Sequence, residues 1–462
     1  MKPKIGLLAL MLKLYDSSHP ALKVKQGRYV LEIGDSLSDI AGIVYPGVQN
    51  TIEGVKKAVH KFEQEKCCLI MVILPTYSPS LIATPALKNT DIPVVIFNTA
   101  KIDQIGNDFS PADYMENHGI HGVQDLSNTL LRAKKPFEIL TGHYKDAETI
   151  NELKDYVRAA AAVDFFKNTR IGIFGETFEG MGDFYFDEKA FSSKYGCKFT
   201  NIPLKEIKDE TKDLHRDEIT KEIEDDLRKF KADKNYNRPL HALSNKYYIG
   251  IKRILDKHKM AGFTMNFLSF GKSKTAETVP FLAAHKLLAA GYGYAGEGDL
   301  LCAALVSAMT RMTGDAGFTE MFCPDFKNNH ILMSHMGEGN PNFARKDSPI
   351  QIKELQFNYG DVETPYTLFF SYEPQPVTLI NLSPQPDNNY KIISTDANVV
   401  NFKRIEALET SNFKIAPSSP LPVFLTDYSK NGGTHHLAMV KNHVSGLIAK
   451  FAKIGGFEYV KI

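Results

Sequence analysis

Short apolar runs alternate with amphipathic stretches along the first third of the chain. Runs rich in isoleucine, valine and leucine predict buried strands at residues 5–10, 68–74 and 94–97, each closed by turn residues. Between the first two runs, residues 51–62 place apolar side chains at the spacing of a helix. Alternating strands and helices are typical of a parallel sheet covered by helices on both faces. The first third is therefore predicted to be an α/β domain.

The same alternation begins again near residue 168. Residues 170–175 (RIGIFG) predict a strand and residues 187–195 a helix, and a further helix at 243–257 leads into a strand at 262–270. The intervening stretch, residues 205–234, is dense in charges of both signs. Mixed signs favour a solvated helix with local ion pairs over a surface for an acidic or basic partner. A second α/β domain is expected here.

Beyond about residue 313 the pattern changes to short β-rich runs separated by Pro, Asn, Asp and Gly. This spacing predicts an antiparallel barrel or sandwich. The runs lie at residues 331–333, 350–355, 366–372, 377–382 and 390–394. A helix at 436–453 and a strand at 457–462 are predicted to end the chain. The predicted domains are an N-terminal α/β domain on the substrate side (1–167), a central α/β domain (168–312) and a C-terminal β-barrel domain (313–462).

Composition narrows the class of protein. Hydrophobic residues make up 43% of the 462 positions and charged residues 24%, which is ordinary for a folded globular protein. The 55 basic and 54 acidic residues leave a net charge of +1, without the basic excess that nucleic-acid or membrane partners usually need. The five cysteines are odd in number and form no CxxC pair, which favours reduced thiols. With no cleavable signal and no apolar stretch of about 18 residues, we expect a soluble, cytoplasmic protein.

One glycine motif suggests a nucleotide site that its context contradicts. Residues 291–296 (GYGYAG) match the GxGxxG pattern of dinucleotide-binding turns, which works only after a strand. The preceding residues, 277–290, have helical spacing instead, and no GxxxxGK[ST] sequence follows. The glycines are therefore interpreted as a flexible connection between two helices that brings Glu297 and Asp299 to a cleft.

Metal-capable side chains stand beside tight turns at four places in the second half of the chain. They are Glu297 in AGEGD, Glu320 in GFTEM, His335 in MSHMGEG, and His436, which follows His435 in GGTHH. Each place has a structural alternative, because helix dipoles favour acidic residues in a first turn and histidines near strands or helix starts are often solvated or hydrogen-bonded. The gaps of 23, 15 and 101 residues form no local ligand motif, so spacing alone does not join the four.

Ordered short motifs connect these places with a known family. Residues 291–299 (GYGYAGEGD), 334–336 (SHM) and 432–436 (GGTHH) resemble, in that order, signature segments of the L-arabinose isomerase family, which is grouped with L-fucose isomerase. Its N-terminal strand ends and substrate-facing helix are similar to residues 72–79 (VILPTYSP), 94–99 (VVIFNT) and 117–122 (NHGIHG). By this resemblance, which extends over most of the chain, the protein is identified as a divergent member of the family.

The resemblance implies a fold, a cofactor and an assembly. The fold would be two flavodoxin-like domains with parallel sheets, followed by a C-terminal antiparallel β-barrel domain. A divalent cation, usually Mn²⁺, would be bound by Glu297, Glu320, His335 and His436, with His435 as a lesser candidate. Oxygen and nitrogen ligands without thiolate suit Mn²⁺, with Co²⁺, Mg²⁺ or Zn²⁺ as alternatives. Family members form trimers or hexamers whose subunits share active sites, so a homo-oligomer is expected.

By the same resemblance, several residues would contact a sugar substrate. These residues are Tyr15, His118, His121, Phe178, Phe267 and His435. His121 would reach into the active site of the neighbouring subunit. The chain departs from the family at Leu12 and His118, where glutamines that contact the sugar are expected. Loss of these polar partners predicts a shifted sugar specificity.

The implied residue set suits aldose–ketose isomerisation. This reaction moves a proton between C1 and C2 of an open-chain sugar through an enediol, and a divalent ion stabilises the charge that develops. Glu297 and Glu320 are the expected acid/base pair, one on each side of the enediol. Two alternatives stay open: another metal-dependent sugar enzyme, such as an epimerase or a lyase, and a non-catalytic sugar-binding protein. Neither the sugar nor the preferred metal follows from the sequence.

Overall fold

A computed structural model describes residues 2–273 and 275–462 of the chain. The backbone divides into two compact units, Met1–Asp164 (unit 1) and Phe165–Ile462 (unit 2). The three-domain division, with boundaries at residues 167 and 312, stays a prediction. All five cysteines are free thiols, and four of them are buried. No helix within the described ranges combines the length and the apolar character needed to cross a membrane.

Unit 1 is built on a five-stranded sheet whose strands all run parallel. Its strands are β1 (Lys4–Ala9), β2 (Gly42–Val44), β3 (Leu69–Ile73), β4 (Val94–Asn98) and β5 (Glu138–Thr141). The strand order β2-β1-β3-β4-β5 is one of the common orders of doubly wound α/β sheets. The three strands predicted from the sequence are confirmed as β1, β3 and β4. They are continuous apolar runs because they are buried over almost their whole length.

Helices connect these strands. They are α1 (Tyr15–Ser18), α2 (Leu22–Asp35), α3 (Ile52–Gln64), α4 (Thr84–Asn89), α5 (Pro111–Asn117) and α6 (Ile120–Arg132), with a 3₁₀ turn at Ser80–Ile82. A further helix, α7 (Ala147–Lys167), follows β5. The helix predicted from residue 51 is confirmed as α3. Its N-cap residue Thr51 accepts a hydrogen bond from the backbone amide of Gly54, and Val55 and Phe62 are buried on one face.

The described residues of unit 2 form three sheets. Its strands are β6 (Arg170–Phe174), β7 (Lys198–Ile202), β8 (Lys231–Ala232), β9 (Gly262–Met265), β10 (Gly293–Gly296), β11 (Gly317–Asp325), β12 (His330–Ser334), β13 (Gln351–Glu354), β14 (Tyr366–Phe369), β15 (Pro376–Gln385), β16 (Asn389–Val399), β17 (Phe413–Pro417), β18 (His436–Lys441) and β19 (Glu458–Lys461). The first sheet is parallel, in the order β10-β9-β6-β7. The second is mostly antiparallel, in the order β15-β18-β11-β12-β17-β16-β19, and β15 also pairs with β16. The third, β14-β13-β8, is small.

Nine helices of unit 2 lie within the described ranges. They are α8 (Glu188–Tyr195), α9 (Leu204–Thr211), α10 (Arg216–Lys229), α11 (Arg238–Lys257), α12 (Phe267–Lys272), α13 (Phe281–Ala289), α14 (Leu300–Thr313), α15 (Leu421–Lys430) and α16 (Ser445–Gly455), with 3₁₀ turns at Gly182–Phe184, Pro341–Phe343, Pro386–Asn388 and Glu406–Leu408. The expected change from parallel to antiparallel strands after about residue 313 is confirmed. The charged stretch 205–234 contains two helices, α9 and α10, where one was expected.

The glycine segment 291–296 is not the flexible helix–helix connection that the sequence suggested. Its last four residues form β10, a fully buried strand. A Cβ atom on Gly293 would lie 2.4 Å from the carbonyl oxygen of Ala303, so the missing side chain lets α14 pack directly on the strand. The preceding segment contains the expected helix, α13, which ends at Ala289. The glycines therefore serve close packing.

Two other predicted elements are wrong in part. The helix predicted at 436–453 is a strand, β18, followed by the shorter helix α16. β18 lies between β15 and β11, and pairing on both sides overrides the local helical preference of its leucine, alanine and methionine. The strand predicted at 262–270 ends at Met265, because the Asn266 side chain accepts a hydrogen bond from the Leu268 amide and caps α12.

Candidate metal centre

The turn between β10 and α14 holds Glu297 in an unusual backbone conformation. Glu297 has a φ of 60°, in the left-handed region that residues other than glycine rarely adopt, and Gly298 follows at 82°. The Phe178 amide donates to the Glu297 carbonyl oxygen (2.9 Å), and the Thr177 hydroxyl donates to that of Gly298 (3.2 Å). Asp299 then caps α14. Such conformations cost about 1–3 kcal/mol and cluster at functional sites.

The antiparallel sheet brings three of the metal-capable residues together. Glu320 on β11 lies opposite Ser334 of β12 on one side and opposite His436 of β18 on the other. Side chains directly opposite each other on neighbouring strands are close together, so the register alone joins Glu320 to His436. His335 is the first residue after β12. The ligand atoms of Glu320, His335 and His436 all lie within 4.8 Å of one another.

A second group of three shares His436 with the first. The ligand atoms of Glu297, His435 and His436 also lie within 4.8 Å of one another. The Oε2 atom of Glu297 lies 3.5 Å from Nε2 of His436 and 3.7 Å from Nε2 of His435. The four residues expected as ligands thus fall into two overlapping groups, and His435, expected as a substrate contact and as a lesser candidate ligand, belongs to one of them.

A carboxylate stands behind each of the three imidazoles. Glu338 Oε2 lies 2.7 Å from Nδ1 of His335, Asp299 Oδ2 lies 3.1 Å from Nδ1 of His436, and Asp183 Oδ2 lies 2.6 Å from Nδ1 of His435. Metal-binding histidines usually donate their second ring nitrogen in this way, which fixes the ring and its tautomer. Sequence reasoning assigned no role to Asp183 or Glu338. Glu338 had a signal, its spacing three residues after His335, whereas Asp183 is too remote from His435 in sequence to be recognised.

Two ring nitrogens at the centre of the cluster are buried and unsatisfied. His335 is 2% exposed and His436 is fully buried, and neither Nε2 atom has a hydrogen-bond partner among the described residues. Leaving a buried polar atom unpaired costs about 1–3 kcal/mol, so native structures rarely keep one without a reason. Coordination to a cation would satisfy both atoms. The donor set of carboxylate oxygens and imidazole nitrogens therefore fits a divalent ion.

The carboxylates and imidazoles of the cluster each favour the charged form of the other. Burial opposes ionisation of Glu297, yet His435 and His436 hold the pKa of its carboxyl well below the ordinary value. Burial lowers the pKa of His435, but its contacts with Asp183 and Glu297 outweigh that effect and raise the pKa to about 10. A cation accepts only neutral imidazole, so metal binding at this cluster would release protons.

The aromatic rings of Phe178 and Phe267 pack against each other in unit 2. Their ring centroids are 6.0 Å apart, and Phe267, which is 7% exposed, also lies 5.5 Å from the ring of Tyr359. The backbone amide of Phe178 contacts the Glu297 turn directly. Both phenylalanines that were expected to contact substrate thus belong to the surroundings of this turn, and their role stays a prediction.

The remaining predicted substrate residues cluster in unit 1. The Tyr15 hydroxyl lies 2.8 Å from Nε2 of His118, and the His118 ring lies 5.5 Å from that of His121. His121 is exposed and stacks on Tyr77 at 4.6 Å. His118, His121 and Tyr114 contribute to the lining of a surface pocket of about 450 Å³. Unit 1 therefore carries a pocket of its own, lined by apolar and aromatic side chains together with two histidines.

Sequence comparisons cover almost the whole chain with a single family. Models of the L-arabinose isomerase N-terminal, central and C-terminal domains match residues 24–168, 187–315 and 315–458, respectively. They follow one another in the order that the motifs indicated.

Individual relatives agree with these matches. An L-arabinose isomerase of Bacteroides thetaiotaomicron is 23% identical over 91% of this chain and 85% of its own length. L-arabinose isomerase 2 of Clostridium acetobutylicum is 26% identical over 71% of this chain and 69% of its own. A solved periplasmic solute-binding protein of Actinobacillus succinogenes with bound D-allose is 13% identical and covers 68% of this chain and 92% of its own, and its TM-score of 0.17 supports no inference. With all three of its domain models matched in order, the chain belongs to the L-arabinose isomerase family of sugar isomerases.

Proposed function

We propose that the protein is a metal-dependent isomerase that interconverts an aldose and a ketose, with Mn²⁺ as the expected cation. Membership of a sugar isomerase family supports the reaction class. One observation supports the metal above all others: the buried Nε2 atoms of His335 and His436 find no partner in the described chain, and both histidines have a ligand atom within 4.8 Å of a Glu320 oxygen. Mn²⁺ takes both oxygen and nitrogen ligands, whereas a site without cysteine disfavours softer metals.

The proposed reaction divides the work between the cation and the side chains. A divalent ion at this cluster would polarise the sugar carbonyl and stabilise the negative charge of the enediolate. Glu297 and Glu320 are the groups that take a proton from one carbon and return it to its neighbour. Glu338 and Asp299 hold the imidazoles of His335 and His436, respectively, in a fixed orientation. Which glutamate acts as base depends on the direction of the reaction.

We further propose that the sugar specificity differs from that of L-arabinose isomerases. The amides expected at residues 12 and 118 are replaced by Leu12 and His118, and the His118 ring already contacts the Tyr15 hydroxyl. A site that has lost polar partners binds the original sugar less well. The loss of affinity is large, because hydroxyl groups of the bound sugar are left without hydrogen-bond partners. Efficient turnover of L-arabinose would contradict this proposal.

The finer architecture and the assembly are also proposals. The strand order of unit 1 supports a flavodoxin-like domain, and the extra pairing of β15 with β16 supports closure of the C-terminal sheet into a barrel. The domain matches that meet at residue 315 support a boundary near residue 312. We expect a cytoplasmic trimer or hexamer in which His121 reaches into the active site of a neighbouring copy.

A substrate screen tests the proposed function. The protein is supplemented with Mn²⁺ and incubated with pentoses, hexoses and deoxy sugars in D and L forms, with EDTA as the control and NMR to identify products. We expect ketose formation from one sugar class, lost with EDTA and restored by Mn²⁺. Epimer or cleavage products would indicate the alternative metal-dependent enzymes. Sugar binding that needs no metal and yields no product would indicate a binding protein.

A further inference from the structure

The two carboxylate oxygens of Glu338 have different buried partners. Its Oε2 atom lies 2.7 Å from Nδ1 of His335, and its Oε1 atom accepts a hydrogen bond of 2.6 Å from the Tyr294 hydroxyl. Glu338 is 4% exposed and Tyr294 is fully buried, so both bonds lie in a low-dielectric interior where they are strong. Burial and the neighbouring carboxylate raise the pKa of Tyr294 well above its ordinary value, which keeps the phenol protonated as the donor. A chain of hydrogen bonds therefore runs from β10 through Glu338 to His335.

The backbone around Glu338 is fixed by another residue. The His285 imidazole is fully buried, with Nδ1 2.5 Å from the carbonyl oxygen of Gly339 and Nε2 2.7 Å from that of Gly337. Both are contacts to backbone atoms, on either side of Glu338. The orientation of the Glu338 carboxylate is therefore left to its own two hydrogen bonds.

The strand β10 reaches His335 in two ways. Side chains two residues apart on a strand point to the same face, which places Tyr294 and Gly296 together. Gly296 lies directly against the His335 ring, because a Cβ atom there would be 2.4 Å from Cε1. The Tyr294 ring packs at 5.7 Å on Phe318, whose own ring lies 4.7 Å from that of His335. Both the imidazole and the carboxylate behind it thus meet the same face of β10.

We propose that Tyr294 is a positioning residue for the metal centre: its hydroxyl holds Glu338 in the orientation in which that carboxylate fixes the His335 ring. The inference rests on the proposed metal dependence and deepens it by naming a residue that is neither an expected ligand nor an expected substrate contact. Removing the hydroxyl leaves Oε1 of Glu338 as a buried acceptor without a partner, which is unfavourable. The carboxylate is then free to turn away from His335, and the ring loses the partner that keeps Nε2 aimed at the cation.

A purely structural role for Tyr294 makes a different prediction. In that case the hydroxyl only finds a partner for its own buried polar group, and its loss lowers folding stability without changing the affinity of the folded protein for metal. Metal affinity therefore distinguishes positioning from packing, whereas stability does not. A double-variant comparison at Glu338 then shows whether the effect passes through that carboxylate.

Manganese titrations of the full-length protein test the proposal without measuring activity. The signal of free Mn²⁺ in electron paramagnetic resonance gives the affinity of the wild type, Tyr294→Phe, Glu338→Ala and the Tyr294→Phe/Glu338→Ala double variant. Tyr247→Phe is the matched control, because Tyr247 is a buried tyrosine of unit 2 whose hydroxyl accepts a hydrogen bond from the Glu277 amide (2.6 Å). Circular dichroism and thermal unfolding confirm that each variant is folded at the temperature of the titration.

The losses of affinity should reveal the route by which Tyr294 acts. Glu338→Ala should weaken Mn²⁺ binding about 10–100-fold, as is usual when a metal-binding histidine loses its outer partner. Tyr294→Phe should weaken it by a smaller factor, about 3–10-fold, because Glu338 itself remains. In the Glu338→Ala background Tyr294→Phe should change the affinity by less than about twofold, since the group through which it acts is gone. Tyr247→Phe should bind Mn²⁺ as the wild type does.

The visible absorption of bound Co²⁺ gives a second readout, which does not depend on the Glu338 variants. The bands of Co²⁺ depend on the geometry of its ligands. A displaced His335 ring should therefore alter the spectrum of Tyr294→Phe, whereas Tyr247→Phe should keep that of the wild type. An identical spectrum for wild type and Tyr294→Phe would overturn the proposal, even if the two proteins differed in stability.

Other results separate this inference from the proposed function. If the wild type binds no Mn²⁺, the metal dependence and this inference both fail. If the wild type binds Mn²⁺ and Tyr294→Phe binds it equally well, only the positioning role fails. An equal fold loss from Tyr294→Phe with and without the Glu338 carboxylate also overturns that role, because the hydroxyl then acts by another route.

Discussion

Substitution of Gly296 by alanine should disturb the metal cluster through a single steric contact. Gly296 is the last residue of β10, and a Cβ atom there would lie 2.4 Å from Cε1 and 3.0 Å from Nε2 of His335. Carbon atoms in favourable contact are about 3.5 Å apart, so the imidazole would have to move by about 1 Å. His335 is buried and its Nδ1 atom is held by Glu338, which leaves the ring little freedom to yield.

The size of the effect follows from this displacement. Forcing one extra carbon into a packed interior costs about 1–3 kcal/mol of folding stability. A shift of about 1 Å in a catalytic group reduces turnover by roughly 10²-fold. Since the displaced atom is an expected metal ligand, Mn²⁺ affinity should fall as well.

Three measurements check this prediction. Urea unfolding of the metal-free protein gives the stability, Mn²⁺ titration gives the affinity, and ketose formation on the sugar found in the screen gives turnover. Gly446→Ala is the matched control, since a Cβ at Gly446 meets no atom within 4 Å among the described residues. Gly446 lies in the first turn of α16, where alanine should be neutral or slightly stabilising. Wild-type stability and affinity in Gly296→Ala would refute the packing argument.

Four further predictions concern the chemistry, the assembly and the charge network. Glu297→Gln should lower turnover at least about 10²–10⁴-fold, the usual contribution of general acid–base catalysis, and near-normal turnover would exclude the assigned role. Mn²⁺ at 100 times its dissociation constant should stabilise the protein by about 2.7 kcal/mol in urea unfolding, whereas a protein without a metal site would show no shift. Mixing inactive His121→Ala and Glu297→Gln proteins should restore part of the activity if neighbouring copies share active sites, and no recovery after subunit exchange would argue against sharing. Burial opposes ionisation of Asp226, but His241 and Lys286 outweigh it and hold its pKa below the ordinary 3.8. Asp226→Asn should therefore cost about 3–5 kcal/mol at pH 7. The ionised Asp226 contributes stability that is lost as pH falls through its lowered pKa. The difference in unfolding free energy between wild type and Asp226→Asn should therefore decrease below about pH 4, and a difference that does not change with pH would contradict the assignment.

Hydrophobic patterning was sufficient for most of the elements and for the change of sheet type. The strands β1, β3 and β4 are buried and continuously apolar, and the helix α3 has one apolar face, so each has a clear signature. The glycine-rich strand β10 has no such signature, because glycine is unfavourable in strands. Its glycines make sense only in the folded protein, where α14 packs directly against the strand. The segment of β18 was wrongly predicted as helix, because a short apolar segment fits a buried strand and a buried helix equally well.

The residue types that make up the candidate centre were recognisable in the sequence, whereas their grouping was not. Metal-capable side chains beside tight turns drew attention to Glu297, Glu320, His335 and His436, and the resemblance of ordered short motifs to one family joined them. Their division into two groups that share His436 depends on strand register, which no local pattern encodes.

The partners behind the imidazoles belong wholly to the tertiary structure. Asp183 meets His435 only because chain folding brings a 3₁₀ turn and the start of β18 together. Local sequence thus determined which stretches are buried and which side chains can bind a cation, because burial and ligand chemistry are properties of individual residues. The tertiary structure decided which of those side chains face one another, because such contacts depend on strand pairing and close packing between segments far apart in the chain.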